Sequence, residues 1–136
     1  MKTLNSKMSL KGLDDLHTLR TMIHEFWDNK TYDWWYKVQP GDVVMDLGGA
    51  VGMFTCNALD LGAKRVYVVE PNMELLNTVV TNAFPHIVNN PENPVYPINC
   101  FIGSGSEYTN NGFGDFDVGE TPIMSFKEII DRYIVK

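Results

Sequence analysis

The sequence predicts an α/β fold, a short parallel sheet in strand order 3-2-1 flanked by helices. Three observations predict it. An apolar run, Val43-Val-Met-Asp46, leads into a turn carrying Gly48, Gly49 and Gly52, and a helix-like segment follows. Strand, glycine turn and helix open a nucleotide-binding βαβ unit. Arg65-Val-Tyr-Val-Val-Glu70 then reads as a second strand, ending in an acid 24 residues after Asp46. Finally, apolar strands separated by helical periodicity imply right-handed crossovers and parallel pairing.

At 136 residues and 44% apolar, the chain is expected to form one domain with its own core. A net charge of −6 argues against a broad nucleic-acid footprint, which needs a basic face. No apolar run approaches the ~20 residues of a membrane span. Residues 1–8 carry charge but no apolar stretch, so no signal peptide is expected. Cys56 and Cys100 lack metal-ligand spacing and read as free core thiols of a reducing compartment, by default the cytoplasm.

Residues 1–37 read as a helical and aromatic segment packing on the domain formed by 38–136. Leu13, Leu16, Leu19, Ile23, Phe26 and Trp27 recur at helical spacing. This amphipathic helix packs on the domain or caps a ligand cleft. Tyr32-Asp-Trp-Trp-Tyr36 follows, as core, as an interface, or as rings for stacking on a base or facing a cation.

Strand one is expected over 42–47, a helix over 52–61 and strand two over 65–70. Pro71 stops that strand, and Asn72 can N-cap the next helix. Leu75, Leu76, Val79, Val80 and Ala83 form its inner face, with Pro85 just past its end. Four prolines within 85–97 predict an irregular connection, and Val95–Ile102 reads as strand three. Five glycines within 103–120 predict a loop or loose hairpin. Ser125-Phe-Lys-Glu128 is a capping-box pattern, opening a helix with Phe126, Ile129, Ile130 and Tyr133 inward.

The glycine spacing narrows the ligand. A dinucleotide turn needs G-x-G-x-x-G, and from Gly48 the third and sixth positions are Ala50 and Met53. No phosphate loop of the type G-x-x-x-x-G-K-[ST] occurs. What stands here is D-x-G-x-x-x-G, which is similar to motif I of class I S-adenosylmethionine (SAM) dependent methyltransferases. The longer stretch Pro40-Gly-Asp-Val-Val-Met-Asp-Leu-Gly-Gly-Ala-Val-Gly-Met-Phe-Thr55, then Gly62-Ala-Lys-Arg-Val-Tyr-Val-Val-Glu-Pro-Asn72, resembles the FkbM family of methyltransferases. That family's pattern is close to pGDvVlDvGANiGlfT followed by GA-x-rVyafEPnp, and the resemblance covers roughly 38–130. A glycine turn in some other α/β protein is the plainer alternative.

The resemblance implies a Rossmann-like class I methyltransferase fold and SAM as cofactor, with S-adenosylhomocysteine (SAH) as product. It places the backbone of Gly48, Gly49, Ala50 and Gly52 against the methionine part, with Asp46 beneath. Glu70 would accept both ribose hydroxyls, as an acid at the tip of the second strand does in such folds. Pro71, Asn72 and Met73 would flank the adenine, and Asn99, Cys100 and Phe101 would lie near its edge. Ala50 stands where the family often has asparagine. Local alternatives are a helix-capping acid for Asp46 and a satisfied strand-end amide for Asn99.

Methyl transfer needs positioning above all, and a base when the acceptor is a hydroxyl. His24, His86, Asp115, Asp117 and Glu120 are available, though each also reads as a surface group. Family analogy makes the acceptor an oxygen on a sugar or similar small metabolite. A non-catalytic SAM-binding or structural protein, and a nicotinamide-dependent oxidoreductase, are the rival readings. The family continues past the helix at 125–133 with a further strand, so the domain is expected to be incomplete at its C-terminus. Strand one would then keep an unpaired edge, which predicts a homo-oligomer joined there or through the C-terminal segment.

Overall fold

The computed structural model describes residues 8–13, 16–28, 30–104, 107–109 and 120–134. In chain order, α1 (Leu16–Ile23) precedes β1 (Val43–Leu47), α2 (Met53–Asp60), β2 (Arg65–Val69), α3 (Met73–Asn89) and β3 (Val95–Ile98). The three strands form a parallel sheet in the order β1-β2-β3. This is the expected 3-2-1 order, with helices in both crossovers.

β2 is the central strand, and its alternating side chains supply two cores. Val66 and Val68 pack with Ala58, Leu76 and Val79 beneath α2 and α3. Tyr67 and Val69 point the other way, against Ile98, Cys100, Met124 and Ile129. A strand buried on both faces needs no polar alternation, which is why Val66–Val69 reads as a continuous apolar run. A third cluster seats the N-terminal segment. Met8, Leu13, Met22, Ile23 and Phe26 pack on Val51, Met53 and Leu75. α1 ends in a π-helical turn, His24–Asp28. The side chains of Leu16 and Trp27 lie outside the described residues.

Four expectations need correcting. Strand three does not run unbroken to Ile102. β3 stops at Ile98, and β4 (Phe101–Ile102) belongs to a second sheet with β5 (Glu107–Thr109) and β6 (Thr121–Met124), in the order β4-β6-β5. The break falls where the Asn99 side chain donates to the carbonyls of Glu70 and Pro71, at 3.0 and 2.8 Å, in place of a continued ladder. β6 was not expected at all, because Pro122 hides a strand of four residues. Pro85 lies inside α3 rather than beyond it. Thr81, whose carbonyl loses its helical donor, and Pro85 are both exposed, so water can serve the freed oxygen.

The last correction concerns α4 (Phe126–Tyr133). Its capping box forms as expected, with Ser125 and Glu128 bonded reciprocally. Only Ile129 is fully buried, however; Phe126, Ile130 and Tyr133 stay exposed. Ile129 carries α4 into the buried cluster of Tyr67, Val69 and Met124.

Candidate functional site

Parallel pairing places Leu47 opposite Val69, so the turns leaving β1 and β2 meet at one end of the sheet. The Gly48 amide donates to the Val69 carbonyl at 2.8 Å and ties them together. Two buried carboxylates, Asp46 and Glu70, flank this junction, each 6% exposed.

Asp46 Oδ2 accepts a hydrogen bond from the Thr55 hydroxyl at 2.6 Å. Thr55 lies in the first turn of α2, so Asp46 caps that helix from the neighbouring strand, where the helix dipole favours an acid. Burial pushes its carboxyl above the ordinary value, and the bonds from Thr55 oppose that rise. Glu70 Oε2 accepts from the Ala50 amide at 3.0 Å, and Oε1 from the Asn72 amide at 2.9 Å. Burial raises the Glu70 carboxyl too; its two amide bonds lower it, and the charge of Asp46 adds a smaller upward push.

The glycines have different jobs. Gly48 sits at φ 85°, and a Cβ there would meet nothing within 4 Å. A Cβ on Gly49 would collide with Val68 Cγ1, and one on Gly52 would press on the Val79 backbone at 3.2 Å. Sheet and helix packing therefore demand Gly49 and Gly52, while Gly48 is the one of the three with open space in front of it. Ala50 adopts φ 47°, in the left-handed region that favours glycine.

A cavity of about 260 Å³ opens on this turn. Asp46, Gly48, Gly49 and Ala50 form one wall; Met22, Glu25, Phe26 and Tyr32 form the other, with Met53 and Phe54 between. Phe26, Tyr32 and Phe54 are a ring cluster, with centroids 5.2 to 6.5 Å apart. The Tyr32 hydroxyl is held above its ordinary value by burial first, then by Glu25 and Asp46.

The remaining expected residues stand around Glu70 rather than on the cavity wall. Asn72 Oδ1 accepts from the Leu75 amide at 3.0 Å and N-caps α3. Met73 is exposed beside it, and Pro71 is half-buried. Asn99 has the satisfied strand-end role, holding the backbone that carries Glu70. Cys100 departs from the expected ligand contact, because its side chain is fully buried in the core with Met124 and Ile129.

Among the described residues, no base expected from sequence lines the cavity. His24 is exposed and bonded to Asp28 at 3.0 Å, His86 lies 3.6 Å from Asp60, and Glu120 is exposed. Asp115 and Asp117 lie outside the described residues. The reading of the sequence missed Thr55, Glu25 and Phe54. Thr55 left a usable signal, a hydroxyl in the first turn of the helix that leaves a strand-end acid. Glu25 left none, since only the fold brings it to the cavity that Asp46 also lines.

No protein-family model and no curated protein matches the chain. Among solved structures it is similar to a candidate RNA methyltransferase from Pyrococcus horikoshii, at 26% identity and TM-score 0.37 over 60% of this chain and 34% of that one. It is similar to protein arginine methyltransferase 10 of Arabidopsis thaliana, at 20% identity and TM-score 0.41 over 70% of this chain and 25% of that one. A SAM-dependent methyltransferase from Aquifex aeolicus gives 13% identity and TM-score 0.42, over 72% and 51%. The chain thus spans from a quarter to half the length of these proteins. Likenesses this partial do not carry a functional assignment, which falls to the chain's own residues.

Proposed function

We propose that this chain is the cofactor-binding part of a SAM-dependent methyltransferase of FkbM type. One observation carries the reading. The D-x-G-x-x-x-G turn puts Gly48 in front of an open cavity, and the acid ending the next strand, Glu70, is bonded to that same turn.

The residues present fit such a cofactor. Asp46, Gly48, Gly49 and Ala50 would face its methionine part, and Glu70 its ribose hydroxyls. A carboxylate offers about four lone-pair directions, so the two amide bonds to Glu70 leave acceptors for a diol. Pro71, Asn72, Met73 and Asn99 would border the adenine, with Gly52 shaping the turn and Cys100 packed behind it. Bound there, SAM would supply a methyl carbon already activated by its sulfonium. The chain's own task is to orient the cofactor and exclude water, a role that would fall to Phe26, Tyr32 and Phe54, which line the cavity.

The acceptor in this reading is a hydroxyl on a sugar or similar small metabolite. Among the described cavity residues the ionisable ones are Glu25, Tyr32 and Asp46. Asp46 is engaged by Thr55, so Glu25 is the carboxylate placed to receive a hydroxyl proton. A second reading, SAM binding without catalysis, is favoured by the position of His24, His86 and Glu120 away from the cavity. Incubation with methyl-labelled SAM and a panel of sugars and small alcohols separates the two. Label on a hydroxyl oxygen supports the methyltransferase; tight SAM binding with no transfer to any acceptor supports the second reading.

A further inference from the structure

Glu70 links two turns that are far apart in sequence. One carboxylate oxygen holds the amide of Ala50, after β1, and the other holds the amide of Asn72, at the start of α3. The first of these turns is strained. Ala50 and Lys30 are the non-glycine residues at positive φ among the described residues. Such a conformation persists only where the surroundings over-determine it. The backbone behind the carboxylate is itself pinned, since Asn99 donates to the Glu70 and Pro71 carbonyls and Thr121 donates to Pro71 at 3.3 Å.

We propose that Glu70 is a positioning residue whose carboxylate clamps the Ala50 turn and the amino end of α3 into one cradle before any ligand arrives. The inference deepens the proposed site and rests on that reading for the ribose diol alone. The clamp is a property of the ligand-free chain. A ligand diol would then meet oxygens whose direction two amide bonds already set, with no turn to rebuild on binding.

The test follows the Ala50 and Asn72 amide resonances of the full chain, without SAM, through an acid titration. The two signals should move together with one midpoint, above the ordinary glutamate value of 4.5 because burial favours the protonated form. Asp46 is the charged group acting on Glu70 from β1, so the titration is repeated in Asp46→Asn. Shared movement should persist there. In Glu70→Gln at least one of the two amides should exchange with solvent about ten-fold faster or more, since the carboxamide nitrogen that replaces one carboxylate oxygen cannot accept. The Gly41 amide, bonded to the Gly62 carbonyl at the far end of β1, should not change. Separate midpoints, an amide that does not titrate, unchanged exchange at both amides in Glu70→Gln, or loss of the shared titration in Asp46→Asn would overturn the clamp. Should Glu70→Gln fail to fold, the wild-type titration decides alone. Because no SAM is present, failure of the clamp and failure to bind SAM are separate results.

Discussion

The Asp46 carboxylate accepts a 2.6 Å hydrogen bond from the Thr55 hydroxyl inside the core, so the strand that enters the glycine turn also caps the helix that leaves it. The turn is thereby held at both ends by one buried pair. Thr55→Val keeps the shape and removes the donor. A hydrogen bond to a charged group contributes about 1.5–3 kcal/mol, and the variant should lose that much in urea unfolding. Thr55→Ser should lose only about 1 kcal/mol, for one missing methyl. Wild-type stability in Thr55→Val would show that the hydroxyl contributes nothing.

The two carboxylates also set a pH dependence. Asp46 and Glu70 are both raised in the folded chain, from ordinary values of 3.8 and 4.5, with burial the largest cause. A raised carboxyl binds its proton more tightly when folded. Stability from this source is therefore full below the ordinary values and falls as pH rises through the folded ones. Asp46→Asn, which still offers Thr55 an acceptor, should flatten the fall in melting temperature from about pH 4 upward. A variant with the wild-type slope would exclude Asp46 as its source.

Gly48 and Gly41 form a matched pair. Both lie at positive φ, 85° and 91°, with nothing within 4 Å of an added Cβ. Only Gly48 faces the cavity. Gly48→Ala and Gly41→Ala should therefore cost similar stability, on the order of 1 kcal/mol. Gly48→Ala alone should weaken SAM binding, and Gly48→Val should abolish it while leaving the far-ultraviolet circular dichroism largely intact. Wild-type SAM affinity in Gly48→Val would mean that the ligand does not approach this turn.

Among the described residues β1 pairs only with β2, and its Val43 and Leu47 are 55% and 52% exposed. An unpaired strand edge with apolar side chains invites pairing with another chain. Sedimentation velocity at micromolar concentration should show self-association, reduced by Val43→Lys. A monomer at all concentrations, with slow amide exchange along residues 43–47, would show the edge to be covered.

Where a residue's partners are local, the sequence was a good guide. Asn72 at an N-cap and Ser125 with Glu128 in a capping box are settled within four residues. The glycine turn was legible because a strand-end acid and close backbone packing restrict what can stand there. What stayed hidden depends on distant partners. Asn99 ends β3 by bonding to carbonyls 28 and 29 residues away. Cys100 turns into the core because Met124 and Ile129, from β6 and α4, cover it. For the second cavity wall, the amphipathic pattern left packing on the domain and capping of a cleft both open, and packing against Val51, Met53 and Leu75 is what brings Met22 and Phe26 to the turn.

The central claim is that the Gly48 turn and Glu70 together hold SAM, and calorimetric titration tests it most directly. The wild-type chain should bind SAM and SAH at one site each and not bind NAD. Loss of one charge-assisted bond of about 1.5–3 kcal/mol weakens binding roughly ten-fold or more, so a folded Glu70→Ala should lose at least that. No heat with SAM or SAH, or unchanged affinity in Glu70→Ala, would contradict the account.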